Sequence, residues 1–167
     1  MRCEGNRGLL DACCGDALLL HPLFSPGTWV CLLQGDEGAV SELLERGEDV
    51  DVRGGALHRT PRMLASRKGH AGVVRLLLQK EANVNKQDSN VWTSLFFAAL
   101  YNRTETAKAL IEIGHANPNI PTNGGETALM GAAIYNNLNL INLMVEQAHT
   151  DPNLTSNHGY TALSYAL

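Results

Sequence analysis

The sequence predicts an all-α fold, a solenoid of stacked helix-turn-helix units joined by extended loops. The first observation behind this prediction is a repeat interval. Thr60 recurs as Thr93, Thr127 and Thr161, at steps of 33, 34 and 34 residues. Intervals of this size are typical of arrays built from one supersecondary unit. Each copy also places a helix-terminating residue at the same position and an apolar stripe after it, so two helices are predicted per unit.

The first helix of each unit is predicted to begin at the repeated threonine. Thr60 supplies a hydroxyl that caps the free N–H groups of a helix, and Pro61 suits the first helical turn. Alanines follow at Ala65, Ala98 and Ala132, where two helices must approach closely. The helix should end near Gly69, because glycine and asparagine adopt the left-handed conformation most readily. The residues at the same position of the other units are Gly35, Asn102 and Asn136.

The second helix is predicted from apolar residues at i, i+3 and i+4, which form one face of a helix. This face is expected to be buried, and its members are Val40, Leu43 and Leu44, then Val74, Leu77 and Leu78, then Ala107, Leu110 and Ile111, then Ile141, Met144 and Val145. An extended turn should follow, because polar turn-forming residues come after each stripe. These turns begin at Val50-Asp51, Val84-Asn85, Pro118-Asn119 and Pro152-Asn153.

These motifs resemble the ankyrin repeat family over residues 27–167. The resemblance implies units at about 27–54, 55–87, 88–121 and 122–155, with a partial unit at 156–167, preceded by an irregular cap at 1–26. Four positions depart from the family pattern: Arg62 stands in place of leucine, Ser94 in place of proline, and Phe96 and Met130 in place of histidine. Such a pattern encodes packing and leaves the binding partner unspecified.

Composition restricts the possible functions. The chain is 44% hydrophobic with a net charge of −4, and it has no Lys or Arg after Lys108. Nucleic-acid binding needs a concentrated basic surface, so it is disfavoured. One local basic cluster has two interpretations, a solvated face or a surface for an acidic partner. It contains Arg59, Arg62, Arg67, Lys68 and Arg75.

The N-terminal segment does not fit the repeat. Its apolar run is too short to span a membrane and lacks the features of a secretory signal, so a short capping helix near residues 9–20 is expected. The four cysteines form no CxxC pair, which disfavours structural zinc and suits a reducing intracellular compartment, cytoplasmic or nuclear. They are Cys3, Cys13, Cys14 and Cys31.

The sequence predicts no enzyme. It contains no phosphate-binding glycine loop and no hydrolase or metalloprotease motif. His115 and His149 are 34 residues apart and thus stacked, but no third ligand shares their spacing. No catalytic residue, metal or cofactor is therefore predicted.

The leading hypothesis is a non-catalytic scaffold that binds another protein. The resemblance implies that first helices and turn tips line a concave face, where aromatic and arginine side chains dominate binding energy. The residues expected to contact a partner are Arg59, Arg67, Lys68, Trp92, Leu100, Tyr101, Glu126, Ile134, Tyr135 and Tyr160.

Two other functions remain open. The chain could serve as an adaptor or inhibitory module of a larger enzyme system, such as a ligase adaptor or kinase inhibitor. The resemblance also implies asparaginyl hydroxylation at Asn85, whereas Pro118 and Pro152 weaken the match at Asn119 and Asn153.

The last repeat looks incomplete. The segment YTALSYAL begins a first helix without a second one, which leaves Leu163, Ala166 and Leu167 with an open apolar side. We expect fraying, self-association through this repeat, or a truncated product of a longer array.

Overall fold

The computed structural model describes residues 26–80 and 83–166. The expected capping helix at residues 9–20, three of the cysteines and Leu167 lie outside these ranges. Within them the chain forms nine α-helices and no strands, so the all-α prediction is confirmed. The helices are α1 Pro26–Gln34, α2 Glu37–Glu45, α3 Pro61–Lys68, α4 Ala71–Leu78, α5 Ser94–Leu100, α6 Thr104–Glu112, α7 Ala128–Ile134, α8 Leu138–Gln147 and α9 Ala162–Tyr165.

The helices form two layers. The first helices α1, α3, α5, α7 and α9 each pack against the next, and the second helices α2, α4, α6 and α8 do the same. The first helices α1, α3, α5 and α7 also pack on the second helix of their own unit. An array of this kind is stabilised by contacts between neighbouring units, since one helix pair alone leaves its apolar faces exposed.

The predicted helix boundaries follow from the local residues. The hydroxyls of Thr60 and Thr93 accept hydrogen bonds from the N–H groups of Met63 and Phe96, at 3.4 and 3.1 Å. At the other end, the helix stops have positive φ, as expected: Gly35 76°, Gly69 90°, Asn102 56° and Asn136 50°. These left-handed residues reverse the chain between the two helices of each unit.

The core lies between the two layers, and the predicted stripe lines it. Leu77, Leu110 and Met144 are fully buried on successive second helices. The prediction of burial is wrong for Val145, which is 47% exposed, although Ile111 at the equivalent position of α6 is only 5% exposed. The reason is that α8 covers α6, while no second helix of the described chain covers α8.

The extended turns join neighbouring units by a ladder of side-chain hydrogen bonds. The Asn85 side-chain oxygen accepts from the Asn117 N–H at 2.9 Å, and Asn119 accepts from the Asp151 N–H at 2.9 Å. Asp51 likewise accepts from the Asn83 N–H at 3.2 Å. The polar residues expected in these loops therefore have a structural role.

Candidate partner-binding surface

The predicted contact residues lie along one surface, which we call the first-helix face. It comprises helices α3, α5, α7 and α9, the tyrosines that directly follow α5 and α7, and the loop residue before each N-cap threonine. Exposure varies among the ten predicted residues. Lys68, Ile134, Tyr135 and Tyr160 are exposed, Arg67, Trp92, Leu100, Tyr101 and Glu126 are half-buried, and Arg59 is buried.

Arg59 corrects the prediction of an exposed arginine at the start of this face. Its side chain is directed against the next unit, where Nε lies 3.2 Å from the carboxylate of Asp88. Its guanidinium also lies 4.9 Å from the centre of the Phe97 ring. With only 8% of its surface exposed, Arg59 joins two units and offers a partner little contact area. Arg62 is buried as well, so neither residue belongs to a solvated basic face.

A second arginine stacks on the same face. The guanidinium of Arg67 lies 5.3 Å from the centre of the Tyr101 ring, and Tyr101 in turn stacks on Phe97 at 6.5 Å. Cation–π contacts of this kind hold the arginine stem and the ring in place. Arg67 and Tyr101 are therefore ordered by each other before any partner binds.

Further along, α5, α7 and α9 enclose a groove with a volume of about 170 Å³. Helices α5 and α7 approach closely at Gly131. A Cβ atom on this residue would lie only 3.2 Å from the Leu100 nitrogen. Most of its lining residues are apolar, and Glu126 is the one charged residue among them. Its lining residues are Trp92, Phe96, Leu100, Glu126, Met130, Gly131, Ile134 and Tyr165.

Half of this lining was not among the predicted contact residues. Phe96 and Met130, which replace the family histidine, form buried parts of the groove wall, and Gly131 and Tyr165 complete it. Phe96 and Met130 could have been found from sequence, because two apolar substitutions at one repeat position fall on neighbouring helices. The contribution of Tyr165 depends on how α9 packs on α7.

Trp92 and Glu126 are positioned by their local contacts. The Trp92 ring packs edge-on against Phe96 and Phe97, at 5.0 and 5.2 Å between ring centres. The Glu126 carboxylate accepts a hydrogen bond from the Thr122 hydroxyl. Both residues are thus half-buried at the groove with fixed orientations.

Sequence comparison with known proteins identifies the architecture. The family described as ankyrin repeats (3 copies) matches residues 29–122, and the one described as ankyrin repeats (many copies) matches residues 110–166. The chain belongs to the ankyrin repeat family. Ankyrin repeats generally serve as protein–protein interaction modules and are typically non-catalytic.

Curated relatives share only part of the ankyrin array. The chain is 43% identical over 56 residues to the ankyrin repeat and SAM domain-containing protein 6 of Mus musculus. The protein of the same name from Rattus norvegicus has the same identity over 56 residues. These residues make up 33% of this chain and 6% of each relative.

Asn85, the candidate hydroxylation residue, lies in an extended turn of the ankyrin array, away from the groove. It is half-buried, and its side-chain oxygen is held by the Asn117 N–H. Its own N–H donates to the Asn83 side chain at 3.0 Å. The side chain is therefore engaged in the folded array.

Across residues 26–80 and 83–166, no group of three His, Cys, Asp or Glu residues is arranged to hold a metal ion. His115 and His149 are exposed, each with positive φ in a loop that is one residue longer than in the Thr60 copy. No helix in the described part of the chain is long and apolar enough to cross a membrane.

Proposed function

We propose that this ankyrin array is a non-catalytic scaffold that binds a partner protein through its first-helix face. The observation that supports this best is the groove, an apolar concavity between α5, α7 and α9 with exposed Ile134 and Tyr135 beside it. Grooves with aromatic walls are typical binding hot spots, because they exclude water around an inserted side chain.

The size of the groove favours a protein partner over a small-molecule ligand. Its volume is about 170 Å³. Pockets for drug-sized ligands and cofactors usually measure about 300–1,000 Å³. A cavity of about 150 Å³ takes a single benzene-sized group, which is the scale of one large side chain. The groove therefore suits one anchoring side chain within a larger interface.

The proposal is tested by affinity capture with Ile134→Arg. Ile134 is 48% exposed at the groove, so a charged residue there should block the groove without unfolding the array. Ile113 provides a matched control, because it is 50% exposed and follows α6 in the other layer. Captured proteins are quantified by mass spectrometry, and circular dichroism checks that all variants fold.

We expect a partner to be retained by the native chain and by Ile113→Arg but reduced about tenfold or more by Ile134→Arg. If both variants retain the same proteins equally, the first-helix face is not the binding surface. The identity of the retained protein also tests the alternative function. A ligase or kinase subunit would assign the chain as an adaptor or inhibitory module.

A second surface supports self-association. In the described residues, the exposed large hydrophobic side chains all lie after residue 112, and Leu138, Val145 and Leu163 are among them. Within the array, a second helix of the next unit covers the position equivalent to Val145. We propose that a second copy of the chain covers α8 in the same manner.

We also propose an intracellular location. The cysteines lie near the start of the sequence and form no CxxC pair, so we expect free thiols. Free thiols suit a reducing, intracellular compartment. Two sequons begin at Asn102 and Asn153, both exposed. Glycosidase-sensitive forms of the chain from cells would contradict the proposal, whereas cytosolic or nuclear fluorescence of a tagged chain would support it.

A further inference from the structure

The first-helix face places arginine side chains on aromatic rings at two positions. Arg59 lies over the Phe97 ring of the next unit at 4.9 Å and is paired with Asp88 at 3.2 Å. Arg67 lies over the Tyr101 ring of the next unit at 5.3 Å. Planar guanidinium groups suit such sites, because they stack on rings and are weakly hydrated.

The groove lies at the equivalent positions of later units, where an aromatic residue is kept and a glutamate takes the place of the arginine. Glu126 precedes Thr127 as Arg59 precedes Thr60, and Tyr165 follows Thr161 by four residues as Phe97 follows Thr93. Aromatic residues and one acidic residue, Glu126, therefore line the same groove. None of its lining residues is a lysine or arginine, and neither residue type occurs after Lys108 in the sequence.

We infer that the groove takes an arginine side chain of the partner protein, which deepens and rests on the proposed scaffold function. The guanidinium would stack on the Trp92 or Tyr165 ring and pair with the Glu126 carboxylate. An entirely apolar occupant is disfavoured, since it would remove water from this carboxylate without replacing its hydrogen bonds. The Thr122 hydroxyl uses one acceptor position, and a carboxylate has about four.

The electrostatics favour a cation over an anion at this end of the face. Glu126 is the one charged residue in the lining, and residues 109–166 contribute acidic side chains without a lysine or arginine. Arginine fits better than lysine because Trp92 and Tyr165 offer flat surfaces that stack with a planar group. The volume of about 170 Å³ accommodates one such side chain.

The test uses N-acetyl-arginine amide as the probe and N-acetyl-citrulline amide as its uncharged counterpart of similar shape. Binding to the full chain is followed by NMR, from the Trp92 indole N–H and the Gly131 amide. We expect saturable shifts with arginine and affinity weaker by about fivefold or more with citrulline, because the cation–π and charged hydrogen-bond contributions are lost.

Two variants separate a specific site from general charge attraction. Glu126→Gln removes the carboxylate charge while keeping its shape and should weaken arginine binding to the citrulline level. Glu112→Gln makes the same change at an exposed residue of α6 and should leave binding unchanged. Equal affinity for both probes, absence of saturation, or equal effects of the two variants would overturn the inference.

Failure of the arginine inference can be told apart from failure of the scaffold proposal. If Ile134→Arg abolishes partner capture and the groove shows no arginine preference, only the arginine inference fails. If the groove selects arginine but Ile134→Arg leaves capture unchanged, the scaffold proposal fails and the chemistry of the groove stands.

Discussion

Asp51 and Arg62 form an ion pair between two neighbouring units, with Oδ1 and Nη2 3.6 Å apart. The Arg62 side chain is 2% exposed, and Asp51 also pairs with Lys86 at 3.0 Å. Burial lowers the pKa of Arg62 from its usual value, and the Asp51 carboxylate partly opposes this effect. Asp51 therefore contacts Arg62, Lys86 and the Asn83 N–H. The family pattern has leucine in place of Arg62.

Asp51→Asn should destabilise the array by about 3 kcal/mol, because it removes a carboxylate paired with a buried arginine. Arg62→Leu should change the free energy of unfolding by about 1 kcal/mol or less, since an apolar replacement of a buried charge is often neutral. Asp51 would still pair with Lys86 in that variant. Urea unfolding measures both changes, with the exposed residue variant Glu45→Gln as control. A larger loss in Arg62→Leu than in Asp51→Asn would contradict this account.

The turn ladder gives a second prediction. Asn85→Ala should lower the free energy of unfolding by about 1 kcal/mol, because the Asn117 N–H of the next unit loses its acceptor. Asn153 is the matched control, because it is exposed at the equivalent position of the last turn described. Asn153→Ala should have an effect below about 0.5 kcal/mol, as is usual for surface substitutions. Equal losses in the two variants, measured by thermal and urea unfolding, would show that the ladder does not link the units.

Self-association should depend on the exposed face of α8. Val145→Lys is expected to reduce dimer formation about tenfold, because it places a charge in an apolar contact. Sedimentation equilibrium over a range of protein concentrations measures the dissociation constant. Ile113→Lys changes another exposed hydrophobic residue and should leave it unaltered. A native chain that stays monomeric at all concentrations would refute the proposed contact.

Hydroxylation of Asn85 remains a prediction that follows from the family resemblance. Peptide mass spectrometry of the chain from cells that contain an asparaginyl hydroxylase should find one added oxygen on the peptide that contains Asn85. Asn119 and Asn153 follow prolines and should be modified less. Consistent absence of the added oxygen at Asn85 in such cells would exclude this modification.

The sequence determined the repeat, the caps and the helix stops. The positive φ values of Gly69, Asn102 and Asn136 were predictable, because the preference for left-handed backbone belongs to the residue itself. Thr60 and Thr93 were equally predictable as N-caps, since each hydroxyl bonds to a backbone group three residues later. Local geometry alone governs these features.

The tertiary structure decided which polar side chains are buried and where the groove forms. Arg59 bonds to a residue 29 positions away, and Tyr165 reaches the groove only because α9 packs on α7. Composition could not predict either contact, because side-chain direction on a helix surface depends on the neighbouring unit. Stacking between units sets the environment of each side chain, whereas local sequence sets the helices that are stacked.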